Sequence, residues 1–256
     1  MKLKIKTAQT LLVLTCWFVN YADISAKQFT VGSENIDYFP HYRFDGGDDQ
    51  GYMWAVLEAF AKHSGHTMVY VAYPIKRLHQ ELLDKKIDFL YPDNPKWASA
   101  DRQQQGKYFS EPVITAFGST MVLPARVNKG LDDFKSLAVP HGFTSIMYAP
   151  LVAQRKVSLI DVPDAISALQ VILKGRVDGA DIEFNVAQHL LKGMSQPHAL
   201  VFDPSLPCDP VGFHLSTVAH SDIIQQFNTF MREHQRLLQD LKTPYHLIEP
   251  TKNCRP

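Results

Sequence analysis

Charged and aromatic side chains gather at a few places in this sequence. Tyr91-Pro92-Asp93-Asn94-Pro95-Lys96-Trp97 sets two aromatics, a carboxylate, an amide and a cation directly after the apolar run Ile87-Asp88-Phe89-Leu90. A carboxylate can hold an amine, an amide donates and accepts, and aromatic faces stack on planar or cationic groups. Lys76 and Arg77 follow Pro74 at the start of a predicted helix. The dipole disfavours cations there, so they are candidates for an anionic ligand. Arg102 lies in a polar loop before Tyr108-Phe109-Ser110-Glu111-Pro112. Gly142-Phe143-Thr144-Ser145 places a glycine and two hydroxyls before a predicted helix, which suits an anion seat or a simple cap. Tyr38 and Tyr42 could stack on a ligand or cover a core edge, and Asp181 and Glu183 close a strand after Asp178. Taken singly, each of these charges reads more readily as a solvated structural residue than as a functional one.

Other chemistries lack their motifs. The chain has no G-x-S-x-G, no phosphate-binding glycine loop and no dinucleotide fingerprint. Its eleven histidines are scattered, and His63 and His66, three apart on a predicted helix, have no third ligand nearby in sequence. No metal site and no cofactor are expected.

The elements that must position these residues read as α/β. Val69-Tyr70-Val71 is strand-like, Ile75, Leu78 and Leu82 recur at helical spacing, and Ile87 to Leu90 reads as a buried strand. The loop from Tyr91 to Trp97 then falls at a strand's carboxyl end, where open α/β sheets bind ligands. The pattern returns: Ile172-Leu173-Lys174-Gly175-Arg176-Val177-Asp178-Gly179 parallels Leu82-Leu83-Asp84-Lys85-Lys86-Ile87-Asp88-Phe89. Two such units predict two similar lobes, each offering a strand end to a shared cleft. A strand from Phe29, a helix from Gly51 to Gly65, a strand or crossing segment over Gly118 to Leu123, a helix from Ser145 to Arg155 and helical runs from Ser221 to Leu241 fill the rest.

Lys2, Lys4 and Lys6, an apolar run from Leu11 to Val19 and Ile24-Ser25-Ala26 have the layout of a secretory signal peptide over residues 1–26, and export to the periplasm is expected. No other stretch approaches the length of a membrane span. Acidic and basic residues balance at 26 each, so the chain carries no broad footprint for nucleic acid. Beyond the leader only Cys208 and Cys254 remain, and an oxidising compartment predicts that they pair.

The order of these features resembles the family 3 extracellular solute-binding proteins, the type II periplasmic binding fold of amino-acid ABC importers. The resembling features are Tyr38-Phe39-Pro40-His41-Tyr42, Gly51-Tyr52, Asp88, Arg102, Phe109-Ser110-Glu111-Pro112, Gly142-Phe143-Thr144 and Gly175-Arg176-Val177-Asp178. The resemblance implies a two-lobed fold, each lobe a mixed, mostly parallel sheet flanked by helices. Lobe one would be residues 27–120 plus 216–256, and lobe two residues 121–215. It also implies a monomer that binds a small polar solute, by default an amino acid, and serves a membrane permease. A periplasmic dehydratase with Glu183 as acid and a sensory protein serving a receptor are the alternatives. By position Arg102 with Thr144 or Ser145 would hold a ligand carboxylate and Glu183 its amine. Tyr91, Asp93, Asn94 and Trp97 would form the first lobe's rim. The Tyr91–Trp97 loop replaces the family's threonine-rich loop, and Ala55 stands where an acidic residue is usual.

Overall fold

The structure is a computed structural model that describes residues 26–97, 106–251 and Cys254. The expected leader up to residue 25 and Arg102 lie outside the described residues. Ten strands are β1 (Gln28–Glu34), β2 (Thr67–Tyr73), β3 (Phe89–Asp93), β4 (Tyr108–Phe109), β5 (Ile114–Val122), β6 (Ser136–Pro140), β7 (Ser158–Val162), β8 (Gly179–Glu183), β9 (Val201–Phe202) and β10 (Asp209–Thr217). The helices are α1 (Tyr52–Ser64), α2 (Ile75–Leu83), α3 (Ala149–Ala153), α4 (Ala165–Leu173), α5 (Phe184–Gly193), α6 (Ser221–Glu233) and α7 (Gln235–Lys242).

The sheet runs in the order β2-β1-β3-β10-β5-β8-β6-β7. β1 pairs in parallel with β2 and β3, and β6 in parallel with β7 and β8. Between these two sets lie the long antiparallel strands β5 and β10. The expected crossing segment around Gly118 is therefore real, and β10 is its partner. α1 forms because Tyr52, Met53, Val56, Leu57, Phe60 and Ala61 recur on one buried face, and Gly65 ends it in the left-handed region at φ 73°.

The repeated unit holds, and its aspartates do one structural job. Lys85 and Gly175 both turn at positive φ (57° and 64°), and Ile87 and Val177 are both buried. The Asp88 carboxylate accepts the Thr30 N–H at 2.8 Å while the Asp88 N–H donates to the Thr30 carbonyl at 2.9 Å. Asp178 does the same to Ser136, at 2.8 Å and 3.2 Å. Each aspartate thus pins a strand to the start of its parallel neighbour.

The helical runs expected from Ser221 are α6 and α7, which meet at His234. Two expectations differ from the structure. The helix expected from Ser145 to Arg155 is a 3-10 turn over Ile146–Tyr148 followed by the short α3. Pro150, which has no N–H to donate, fits only in that helix's first turn. Tyr91, Pro92 and Asp93 belong to β3 and not to a loop, since all three are buried.

Cys208 and Cys254 are bonded, with Cα atoms 6.1 Å apart and a sequence separation of 46. The bond ties the C-terminal tail to the approach of β10. Asn185 holds the same tail through two hydrogen bonds to the backbone of Ile248, at 2.9 Å and 2.8 Å. Closing such a loop removes unfolded-state entropy worth about 4 kcal/mol at most. Replacing both cysteines by serine should lower stability by about 2–4 kcal/mol in urea unfolding. An unchanged midpoint would show that the tail is held without the bond.

Candidate functional site

A cleft of about 310 Å³ lies between the two parallel sets, walled from both sides. Glu34, Tyr38, Tyr42, His79, Asn94 and Trp97 face it from the first set. Phe143, Thr144, Asp181 and Glu183 face it from the second, with Gly118 and Phe213 of the two long strands between.

Two glycines make this geometry possible. Gly51 has φ 90°, and a Cβ there would sit 2.9 Å from the Tyr42 nitrogen. Its absence lets α1 start against the Tyr38–Tyr42 loop, with the Tyr52 N–H on the Pro40 carbonyl and the Met53 N–H on the His41 carbonyl, both at 3.0 Å. Gly142 has φ 88°, and a Cβ there would meet Ile75 Cδ1 at 3.1 Å, so the two sides approach without a side chain between them. The rings of Tyr38 and Phe143, from opposite sides, lie 5.8 Å apart.

Glu183 is buried and fully engaged. Its Oε1 accepts from the Phe117 N–H at 3.0 Å and Asn185 Nδ2 at 2.7 Å. Its Oε2 accepts from the Val186 N–H at 2.9 Å, capping α5, and faces His41 Nε2 at 3.0 Å. It therefore joins β5, β8, α5 and the opposite loop.

Glu34 and Asp181 differ from it. Tyr42 Oη donates to Glu34 Oε2, and Ser145 Oγ donates to Asp181 Oδ2. Each carboxylate's other oxygen has no partner, and neither meets a Lys or Arg among the described residues. Burial pushes Glu34 up to about 7 and Asp181 up to about 6. Burial and then the charges of Glu183, Glu34 and Asp181 push the Tyr38 hydroxyl well above its ordinary value.

His79 is set as a donor. Lys107 Nζ is buried, 2.7 Å from Asp93 Oδ2 and 3.1 Å from His79 Nδ1. An ammonium has only protons to offer, so Nδ1 accepts and Nε2 carries the ring proton. Burial and then Lys107 hold His79 below its usual range, which keeps the ring neutral.

The structure brings Tyr38, Tyr42, Asn94, Trp97, Thr144 and Glu183 to the cleft. Among the described residues it does not bring Arg77, Tyr91, Asp93 or Ser145 to the cleft wall. Arg77 bonds Glu81 at 2.9 Å and lies over the Tyr73 ring, with its side chain 62% exposed. Tyr91 is a fully buried core ring, and Asp93 is consumed by Lys107 and by Ser216 Oγ at 2.6 Å. Ser145 donates to a carboxylate, so its hydroxyl is not an anion seat. The Lys76 side chain lies outside the described set. Glu34, His79 and Phe213 were missed, while Asp181 and Phe143 were read only as parts of longer stretches. Asp181 shares a strand face with Glu183, two residues on, and Glu34 ends β1, so both carried the strand-end signal. Among the described residues no group of three His, Cys, Asp or Glu could hold a metal ion, and no helix is long and apolar enough to cross a membrane.

No family model and no curated protein matches the chain. Solved structures do. A periplasmic binding protein of an arginine 3rd transport system from Legionella pneumophila matches with a TM-score of 0.67 at 15% identity, over 86% of this chain and 100% of that one. This chain has the fold of the two-lobed periplasmic binding proteins. A histidine kinase sensor domain with similarity to periplasmic binding proteins matches at 0.68 and 16% identity, over 87% and 98%. An ancestral amino acid-binding protein described as a precursor of cyclohexadienyl dehydratase matches at 0.66 and 19% identity, over 86% and 96%.

Glu183→Ala should cost about 2–4 kcal/mol in urea unfolding, because it strands buried N–H donors and uncaps α5. A loss below about 0.5 kcal/mol, the size of an ordinary surface change, would contradict that role. Glu34 also makes the ligand-free protein pH-sensitive. An unfolded glutamate releases its proton near 4.5 and Glu34 near 7, so between those values the folded chain binds more protons and stability falls as pH rises. Thermal unfolding should show a larger drop in midpoint from pH 5 to pH 7.5 in the wild type than in Glu34→Gln. Equal drops would place the cause elsewhere.

Proposed function

We infer that this chain is an exported solute-binding protein that captures a small polar solute, an amino acid or a related amine, and closes its lobes around it. The carrying observation is the cleft, whose walls come from both lobes and carry polar groups on each side. Such a site is completed only when the lobes meet, so ligand binding and closure are linked. The proposed lobes are residues 27–120 with 216–256, and residues 121–215.

The structural neighbours that are transport-system binding proteins favour delivery to an ABC-type permease, and the sensor domain keeps a receptor as the second partner. We place Arg102 at the ligand's carboxylate, on the strength of its position in the resemblance. The dehydratase reading needs a general acid in the cleft. Glu183, its candidate, accepts N–H bonds at both oxygens and is held as an acceptor, which favours binding over turnover.

A thermal-shift screen over amino acids, amines, small acids and short peptides should find a solute that raises the unfolding temperature. At a hundredfold excess over Kd the gain is about 2.7 kcal/mol, or roughly 5–10 °C for a chain of this size. For an amino-acid ligand the shift should disappear in Arg102→Ala. Silence across the whole screen would sink this function.

A further inference from the structure

Among the described residues the cleft's charge is unbalanced in one direction. Glu34, from the end of β1, and Asp181, from β8, both face it, and each has one oxygen on a neutral hydroxyl and one oxygen without a partner. The second-lobe carboxylate expected to hold an amine, Glu183, is already taken up by three hydrogen bonds, and the His41 ring stands 3.0 Å from its Oε2. Lys96 stands at the cleft's exposed rim, and Lys107 is neutralised by Asp93 beneath His79. Tyr38 feels the charge of both open carboxylates, and the two stand on different strands, Glu34 at the end of β1 and Asp181 within β8. They are therefore two separate seats, one on each lobe. The walls around them are aromatic: Tyr38 against Phe143, and Trp97 against Phe213 at 5.8 Å. Such faces attract cations and repel anions.

We propose that the ligand is a small molecule with two basic nitrogens, one seated on Glu34 of the first lobe and the other on Asp181 of the second. This rests on the solute-binding reading and narrows it to a chemical class: a diamine, or an amino acid with a basic side chain. Closure then has a stated cause. In an open cleft only one of the two nitrogens can meet its carboxylate, and only the closed cleft gives both nitrogens their partners at once. A carboxylate half-removed from water is costly to keep charged, and a cation against it offsets that cost.

The test uses protein recovered after export of the full-length chain, studied by titration calorimetry at pH 7.5. The probes are 1,4-diaminobutane, lysine, butylamine, glutamine and glutamate. At least one dibasic probe should bind about tenfold to a hundredfold more tightly than butylamine, glutamine or glutamate, the factor expected of one added charge-assisted bond. Glu34→Gln and Asp181→Asn keep the shape and the hydroxyl contacts. Each should weaken the dibasic probe by a similar factor and leave butylamine within about threefold in at least one of the two variants, since one cation needs one seat. Unfolding midpoints of both variants check that they fold. Binding should also release protons, read as a dependence of the heat on the buffer's ionisation enthalpy at pH 6.5, and each substitution should reduce that release. Tight binding of glutamine or glutamate with weak dibasic probes overturns this inference and leaves the solute-binding reading standing. Unchanged dibasic affinity in both variants overturns it as well. No heat from these probes, together with silence in the wider thermal-shift screen, overturns both.

Discussion

Three donors converge on one buried carboxylate, and the arrangement of the whole site follows from satisfying it. Glu183 must accept from Phe117, Asn185 and Val186, because a charge with unmet hydrogen bonds is expensive away from water, and the His41 ring stands 3.0 Å from it. Meeting that demand fixes where β8 ends, where α5 begins, how β5 passes and how close the opposite loop comes. The aromatic loop carrying Tyr38 and Tyr42 is held at its other end by the start of α1 on Gly51. Both walls of the cleft are thus located by backbone hydrogen bonds, and no ligand is needed to place them.

That division of labour explains why acidic residues only two positions apart act so differently. Asp181 and Glu183 lie on the same face of β8, yet one is saturated by N–H donors and the other meets a single hydroxyl. Charge-assisted bonds from several N–H groups hold a carboxylate as an anchor. A carboxylate given one neutral donor, in a partly dry cleft, retains an unmet preference for a cation. Glu34 stands in the same condition on the other lobe through Tyr42.

A second polar centre supports the first lobe. Asp93, Lys107, Ser216 and His79 form a buried chain that reaches the cleft as an imidazole. Removing one member of such a chain leaves the others unpaired in low dielectric, so the set is rigid as a unit. It gives the cleft a neutral donor whose orientation is set from beneath, beside carboxylates whose free oxygens are open.

By itself the sequence determined the two repeated α/β units, the aromatic loop, the cysteine pair and the resemblance to a binding protein, because each of these is written in spacing along the chain. Hydrophobic periodicity survives without tertiary context, and so do glycine positions such as Gly51 and Gly65. The partners of a polar side chain do not. Asp93 reads as a rim residue until β3 is seen to continue through it into the core, where Lys107 and Ser216 take it up. Glu183 reads as a ligand group until Phe117, sixty-six residues away, is seen to donate to it. Which carboxylates are anchors and which are open is a question of donors supplied from distant strands, and only the folded chain brings those donors within 3 Å.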